Sequence, residues 1–179
     1  MSARQPAQQW LVALWGVLGV MAMVLFAIVR LTPMVIEALE ESLNVLQWLA
    51  FAANIAVMAW SEGYRGFQLK FSPRVVARAL YLYRHSTSFG TQLCAPLFCI
   101  GYFDACRRTK VGAWVGTTGI VILILLVHQL QQPWRGIVDA GVVVGLSWGL
   151  VSLAVMAFRT FRTGEYLVSP KVPDRYNND

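Results

Sequence analysis

Residues 10–29 read WLVALWGVLGVMAMVLFAIV, twenty positions without a charge, and Arg30 closes them. An α-helix rises 1.5 Å per residue, so about 20 apolar residues cross a hydrocarbon layer roughly 30 Å thick. The run therefore predicts a membrane-spanning helix. It is longer than the apolar part of a secretory signal and lacks a small-x-small cleavage site ahead of a soluble domain, so it is read as a retained span. Three further runs meet the same need, at 43–60, 111–130 and 137–158, the last closed by Arg159 and Arg162.

The composition agrees with this reading. Hydrophobic residues make up 57% of the 179 and charged residues 13%, against about 25% charged in soluble domains. Lipid is the solvent in which so apolar a chain is soluble. The formal charge of +6 comes from cations lying between the apolar runs, where they orient a membrane protein. There is no basic soluble domain to bind nucleic acid.

A fifth run, 89–105, is short and interrupted by Gly90, Gln92, Pro96 and Gly101 before Asp104. It reads as a re-entrant element, a surface helix or a fifth span. Charge favours the first two. With five crossings, seven basic residues fall on the side of the N-terminus and eight on the other. With four, thirteen lie on that side and two, Arg30 and Arg135, on the other. The second partition is the bias that the positive-inside rule describes. The expected fold is thus an all-α integral membrane protein with four transmembrane helices, an interfacial amphipathic helix and a short apolar segment. Residues 1–163 form one polytopic domain, with an inner segment at 61–110, and 164–179 form an extended, poorly ordered polar tail. The expected location is the inner membrane of a cell, multi-pass, with both termini cytoplasmic. Trp10, Trp60, Trp114 and Trp134 sit near span ends, where an indole favours the headgroup region. Trp15, Trp48 and Trp148 are read as packing residues.

The connections carry their own signals. Thr32-Pro33 reads as a cap followed by the first residue of a new helix. Glu37, Glu40 and Glu41 would then lie on a solvated extension of the second span. Ser72-Pro73 is a second helix start. In the helix that follows, Arg74, Arg78, Tyr81 and His85 share one face, and Val75, Val76, Ala79, Leu82 and Tyr83 supply the other. A helix of this kind lies in the interface and draws anionic headgroups to its cations, or packs its apolar face on the spans. Pro133 starts the last helix, whose Arg135 and Asp139 are four apart and placed to pair. Asp104 has Arg107 and Arg108 beside it.

Gly141, Gly145 and Gly149 recur every four residues, and Gly112, Gly116 and Gly119 make a looser small face on the preceding span. Such faces let helix backbones approach closely in lipid. The simpler expectation is that the two faces meet within one chain, and the alternative is a contact between copies.

Two constellations could carry chemistry. Glu40, Gln47, Asn54 and Ser61 are seven apart and line one side of a helix, with Asn44 nearby. They read as interhelical hydrogen-bonding groups or as a polar groove, with Gln47 and Asn54 at its centre. Glu62, Tyr64, Arg65 and Gln68 cluster where the second span ends, and Gly63 and Gly66 would allow a sharp turn there. With Arg74, Arg78 and His85 they form a candidate site for a phosphate or lipid headgroup, in which Glu62 would hold an arginine. Metal binding is not expected. His85 and His128 fall on opposite sides, and Cys94, Cys99 and Cys106 do not match zinc spacing. No cofactor is expected either. No span has an acid near its centre, and no catalytic signature is present.

These features favour a non-enzymatic accessory or assembly subunit whose partners are membrane lipids and another membrane protein, or a second copy of itself. The alternatives are a membrane-embedded enzyme acting on a headgroup at the inner surface, and an oligomeric transporter or channel using the Gln47–Asn54 stripe.

Overall fold

The computed structural model describes residues 4–85, 87–170 and 172, with side chains from residue 8 onward. Among these residues every regular element is a helix. They are α1 (Arg4–Glu40), α2 (Val45–Met58), a π-helix (Ala59–Phe71), α3 (Ser72–Arg84), α4 (Phe89–Leu93), α5 (Ala95–Ile100), α6 (Arg107–Val127) and α7 (Trp134–Thr163). Three helical segments, Gln8–Glu40, Arg107–Val127 and Trp134–Thr163, are long and apolar enough to cross a membrane.

The first span is longer than the apolar run suggested. Thr32-Pro33 does not open a new helix, because Pro33 lies inside α1. Proline removes one backbone donor, and the Thr32 hydroxyl meanwhile donates to the Ile28 carbonyl at 2.7 Å. The acidic segment thus extends the first helix rather than the second. The second apolar run begins at a capping box. Asn44 Oδ1 accepts from the Gln47 amide and Gln47 Oε1 accepts from the Asn44 amide, both at 2.9 Å.

The chain divides into two compact units: residues 1–22, 71–116 and 153–179 in one, and 23–70 and 117–152 in the other. In the first unit, α3 is the centre. Ten of its residues, from Ser72 to Leu82, are buried, Arg78 and Tyr81 of the polar face included. Val75, Val76, Ala79 and Leu82 join Val17 and Val20 of α1, Phe98 and Cys99 of α5, and Leu153 and Ala157 of α7. The weak apolar run becomes α4 and α5, five and six residues long, and neither is long enough to span. Gly101 ends α5 at φ 105°, with its amide on the Leu97 carbonyl, a left-handed cap that glycine makes without strain. The described part of the tail makes contacts with this unit. Arg84 donates to the Gly164 carbonyl and lies 4.7 Å from the Tyr166 ring centre, and Val172 packs on the core. Residues 171 and 173–179 lie outside the described residues.

In the second unit the glycine face of α7 finds its partner, and the partner is not α6. A Cβ on Gly141 would run into Asn54 and Met58, one on Gly145 would meet Glu62 at 3.1 Å, and one on Gly149 would run into Phe67. The three glycines thus receive side chains of α2 and the π-helix. Gly112, Gly116 and Gly119 of α6 have nothing within 4 Å, so the two small faces do not meet. Gln132 fastens the start of α7: its Oε1 accepts from the Gly136 amide at 3.1 Å and its Nε2 donates to the Met34 carbonyl at 3.1 Å. Arg135 and Asp139 form the expected pair at 3.9 Å, an ion pair too long to be a hydrogen bond.

Candidate functional site

The residues of the expected cluster are divided between the two units. Glu62, Tyr64, Arg65 and Gln68 lie on the π-helix in one unit, and Arg74, Arg78 and His85 lie on or beside α3 in the other. Gly63 and Gly66 do not make a sharp turn, because helix continues through both. The widened spiral of a π-helix, with its i→i−5 bonds, is rare and usually a single turn; here it runs for thirteen residues. Its side chains mostly hold helices together. Gln68 Oε1 accepts from the Trp148 indole at 2.7 Å, and Tyr64 stacks on Trp60 at 5.2 Å. Glu62 packs by its Cβ beside Gly145. Neither Glu62 nor Arg65 makes an ion pair among the described residues, so Glu62 does not hold an arginine.

The polar stripe is likewise absorbed by packing. Gln47 serves the capping box. Asn54 Nδ2 donates to the carbonyls of Ile137 at 2.7 Å and Val138 at 3.2 Å. Ser61 donates to Val57 O at 2.7 Å, and Glu40 ends a different helix. Of the two amides, Asn54 alone joins α2 to α7.

The arginines of the first unit sort into two sets. Arg78 is fully buried and makes no ion pair among the described residues. Its Nε donates to Phe98 O at 2.6 Å, its Nη1 to Pro170 O at 3.1 Å, and its Nη2 to Phe103 O and Asp104 O at 3.0 Å each. Its guanidinium carbon sits 4.0 Å from the Phe98 ring centre. Phe98 lies in the last turn of α5, where carbonyls lack helical partners and carry partial negative charge. Burial lowers the Arg78 pKa to about 10, so the group stays charged at neutral pH. Arg74 is also lowered by burial, and its Nε is buried without a hydrogen bond. The Arg78 guanidinium is thus spent inside the protein, and Arg74 is half-buried. Asp104, at φ 45°, holds a left-handed conformation that aspartate tolerates better than most. Its carbonyl serves Arg78, and no ion pair joins it to Arg107 or Arg108 among the described residues.

No protein-family model, curated protein or solved structure matches this chain.

The second set is exposed: Arg107, Arg108 and Lys110 at the start of α6, and Arg159 and Arg162 at the end of α7. From residue 8 onward the described part of the first unit holds eight Lys or Arg and two acids, Asp104 and Glu165. The second unit holds four bases and five acids. His85 belongs to neither set. Its ring stacks on Tyr81 at 4.1 Å, its Nδ1 lies 3.2 Å from Tyr81 O, and it borders a cleft of about 110 Å³ with Gln8, Gln9, Val12, Leu82, Thr87 and Gln92. Sequence reasoning missed the carbonyl cradle of Arg78. Its acceptors are backbone groups, and no residue type announces them.

Proposed function

We propose that this chain is a non-enzymatic accessory subunit of a multi-pass membrane assembly, and that α6 docks on another membrane protein. The observation that carries the reading is the contrast between two glycine faces. In lipid, small residues four apart permit close backbone contact, and helices associate there. The face of α7 is filled from within the chain. Gly112 and Gly116 of α6 are bare, and Val111, Trp114, Val115 and Ile120 around them are exposed.

In this reading the basic unit faces the inner side of the membrane, in accord with the positive-inside bias. Four passes supply the topology. α1, α6 and α7 are three, and α2 with the first turn of the π-helix is the fourth. Parity supports this count. The start of α1 shares a unit with the start of α6 and the end of α7, which a three-pass chain would separate.

The test is a photo-crosslinking residue placed at Gly116 and, in a second variant, at Val155 on α7. One discrete protein adduct from Gly116 and not from Val155 is the expected result. Lipid adducts alone from both positions overturn the reading. An adduct of twice the chain's mass replaces the foreign partner with a second copy.

A further inference from the structure

Exposed at the end of α7 is an open surface formed by Ala154, Val155, Phe158, Arg159, Arg162 and Thr163. Its parts are ordered along the helix. Ala154, Val155 and Phe158 form an apolar stretch, and Phe158 is 68% exposed. The two arginines follow it. They are three apart, so they are neighbours on the helix surface. Neither makes a hydrogen bond or ion pair among the described residues. This separates them from Arg78 and Arg84, whose guanidinium groups are spent on carbonyls. The Thr163 hydroxyl accepts from the Glu165 amide at 3.4 Å and keeps its own proton to donate.

We propose that this helix face binds one anionic glycerophospholipid, with an acyl chain along Ala154, Val155 and Phe158 and the phosphate between Arg159 and Arg162. Charge complementarity selects the occupant. Two unpaired guanidinium groups favour a phosphate, which arginine grips in a fork. The apolar tier directly before them matches the order of tail and headgroup in a leaflet. A soluble phosphate would leave that tier unused. The inference rests on the proposed placement of the basic unit at the inner surface, where anionic lipids and cations meet.

The experiment is native mass spectrometry of the full chain in mild detergent with equimolar phosphatidylglycerol and phosphatidylcholine of matched chains. The wild type retains phosphatidylglycerol at least about tenfold over phosphatidylcholine. In Arg159→Gln/Arg162→Gln its affinity falls roughly thirtyfold, as two surface cations near a membrane are each worth about a factor of five. Phe158→Ala weakens both lipids alike. Arg107→Gln/Arg108→Gln, an equal loss of charge elsewhere in the same unit, leaves the preference intact. Equal retention of the two lipids overturns the proposal, as does an equal effect from the Arg107/Arg108 pair or displacement by glycerol phosphate. Should the glutamine pair melt early, Arg159→Lys/Arg162→Lys decides: retained preference supports the site and lost preference with a normal melt overturns it. Failure of the α6 crosslink would leave these lipid results unchanged, so the two readings fail separately.

Discussion

Arg78 brings a charge into the interior without an ion pair among the described residues, and four backbone carbonyls do that work instead. Those carbonyls come from Phe98, Phe103, Asp104 and Pro170, so one side chain ties α3 to α5, to the turn after it and to the described tail. Arg78→Met would fit an apolar interior by volume but would strand these acceptors. A buried acceptor without a partner costs about 1–3 kcal/mol, so a loss of about 3 kcal/mol or more in unfolding experiments is expected. Arg78→Lys should recover only part of it, because an ammonium cannot fan out over four acceptors. Cys99 is the companion case. Burial pushes its thiol up to about 12, so at pH 8 a maleimide should label Cys94 and Cys106, which are half-buried, and reach Cys99 only on denaturation. The sign of the pH effect follows. Above pH 9 an unfolded thiol ionises while the folded one stays protonated, so stability drains away as pH rises from 9 toward 12. Between pH 9 and 10, before Arg78 titrates, the melting temperature of Cys99→Ala should fall less steeply than that of the wild type.

Elements pack here by letting large side chains of one helix enter gaps left by glycines of another. At Gly149 a leucine would collide with Phe67, and such overpacking costs typically about 1–3 kcal/mol. Gly149→Leu should therefore melt clearly below the wild type. Gly116→Leu should melt at or above it, since glycine inside a helix costs about 1 kcal/mol, and yet lose the proposed partner. That opposition is measured by thermal unfolding and crosslinking on the same two variants. Asn54→Leu should cost about 0.6–1.7 kcal/mol, the range for hydrogen bonds between helices in a membrane. The helical spacing of Gly141, Gly145 and Gly149 was legible in the residues, because a four-residue repeat is a property of one helix. Their partner was not, because pairing depends on which helices lie side by side. Gly63 and Gly66 misled for a related reason. Glycine permits a turn but does not require one, and the contacts of Gln68 and Glu62 with α7 accompany continued helix. Pro33 misled likewise: α1 continues through it to Glu40.

At the scale of the molecule, the apolar runs made the all-helical, membrane-spanning character readable, since length and hydropathy are additive properties of the chain. The number of crossings is harder, because charge counting constrains sides and not passes. A three-pass chain with its N-terminus outside and the four-pass chain with it inside both leave thirteen basic residues in and two out. They differ in which side holds the first helix's start. The shared unit of residues 1–22, 71–116 and 153–179 favours four. Reporters that are active on one side only settle the matter when fused ahead of Met1, after Glu41, after Lys110 and after Asp179. Four passes give inside, outside, inside, inside. Three passes give outside and then inside at the other three. Five passes put Lys110 and Asp179 outside. The first pattern is the expected one, and a cytosolic signal after Glu41 would remove the second pass and with it the placement of the basic unit argued from parity.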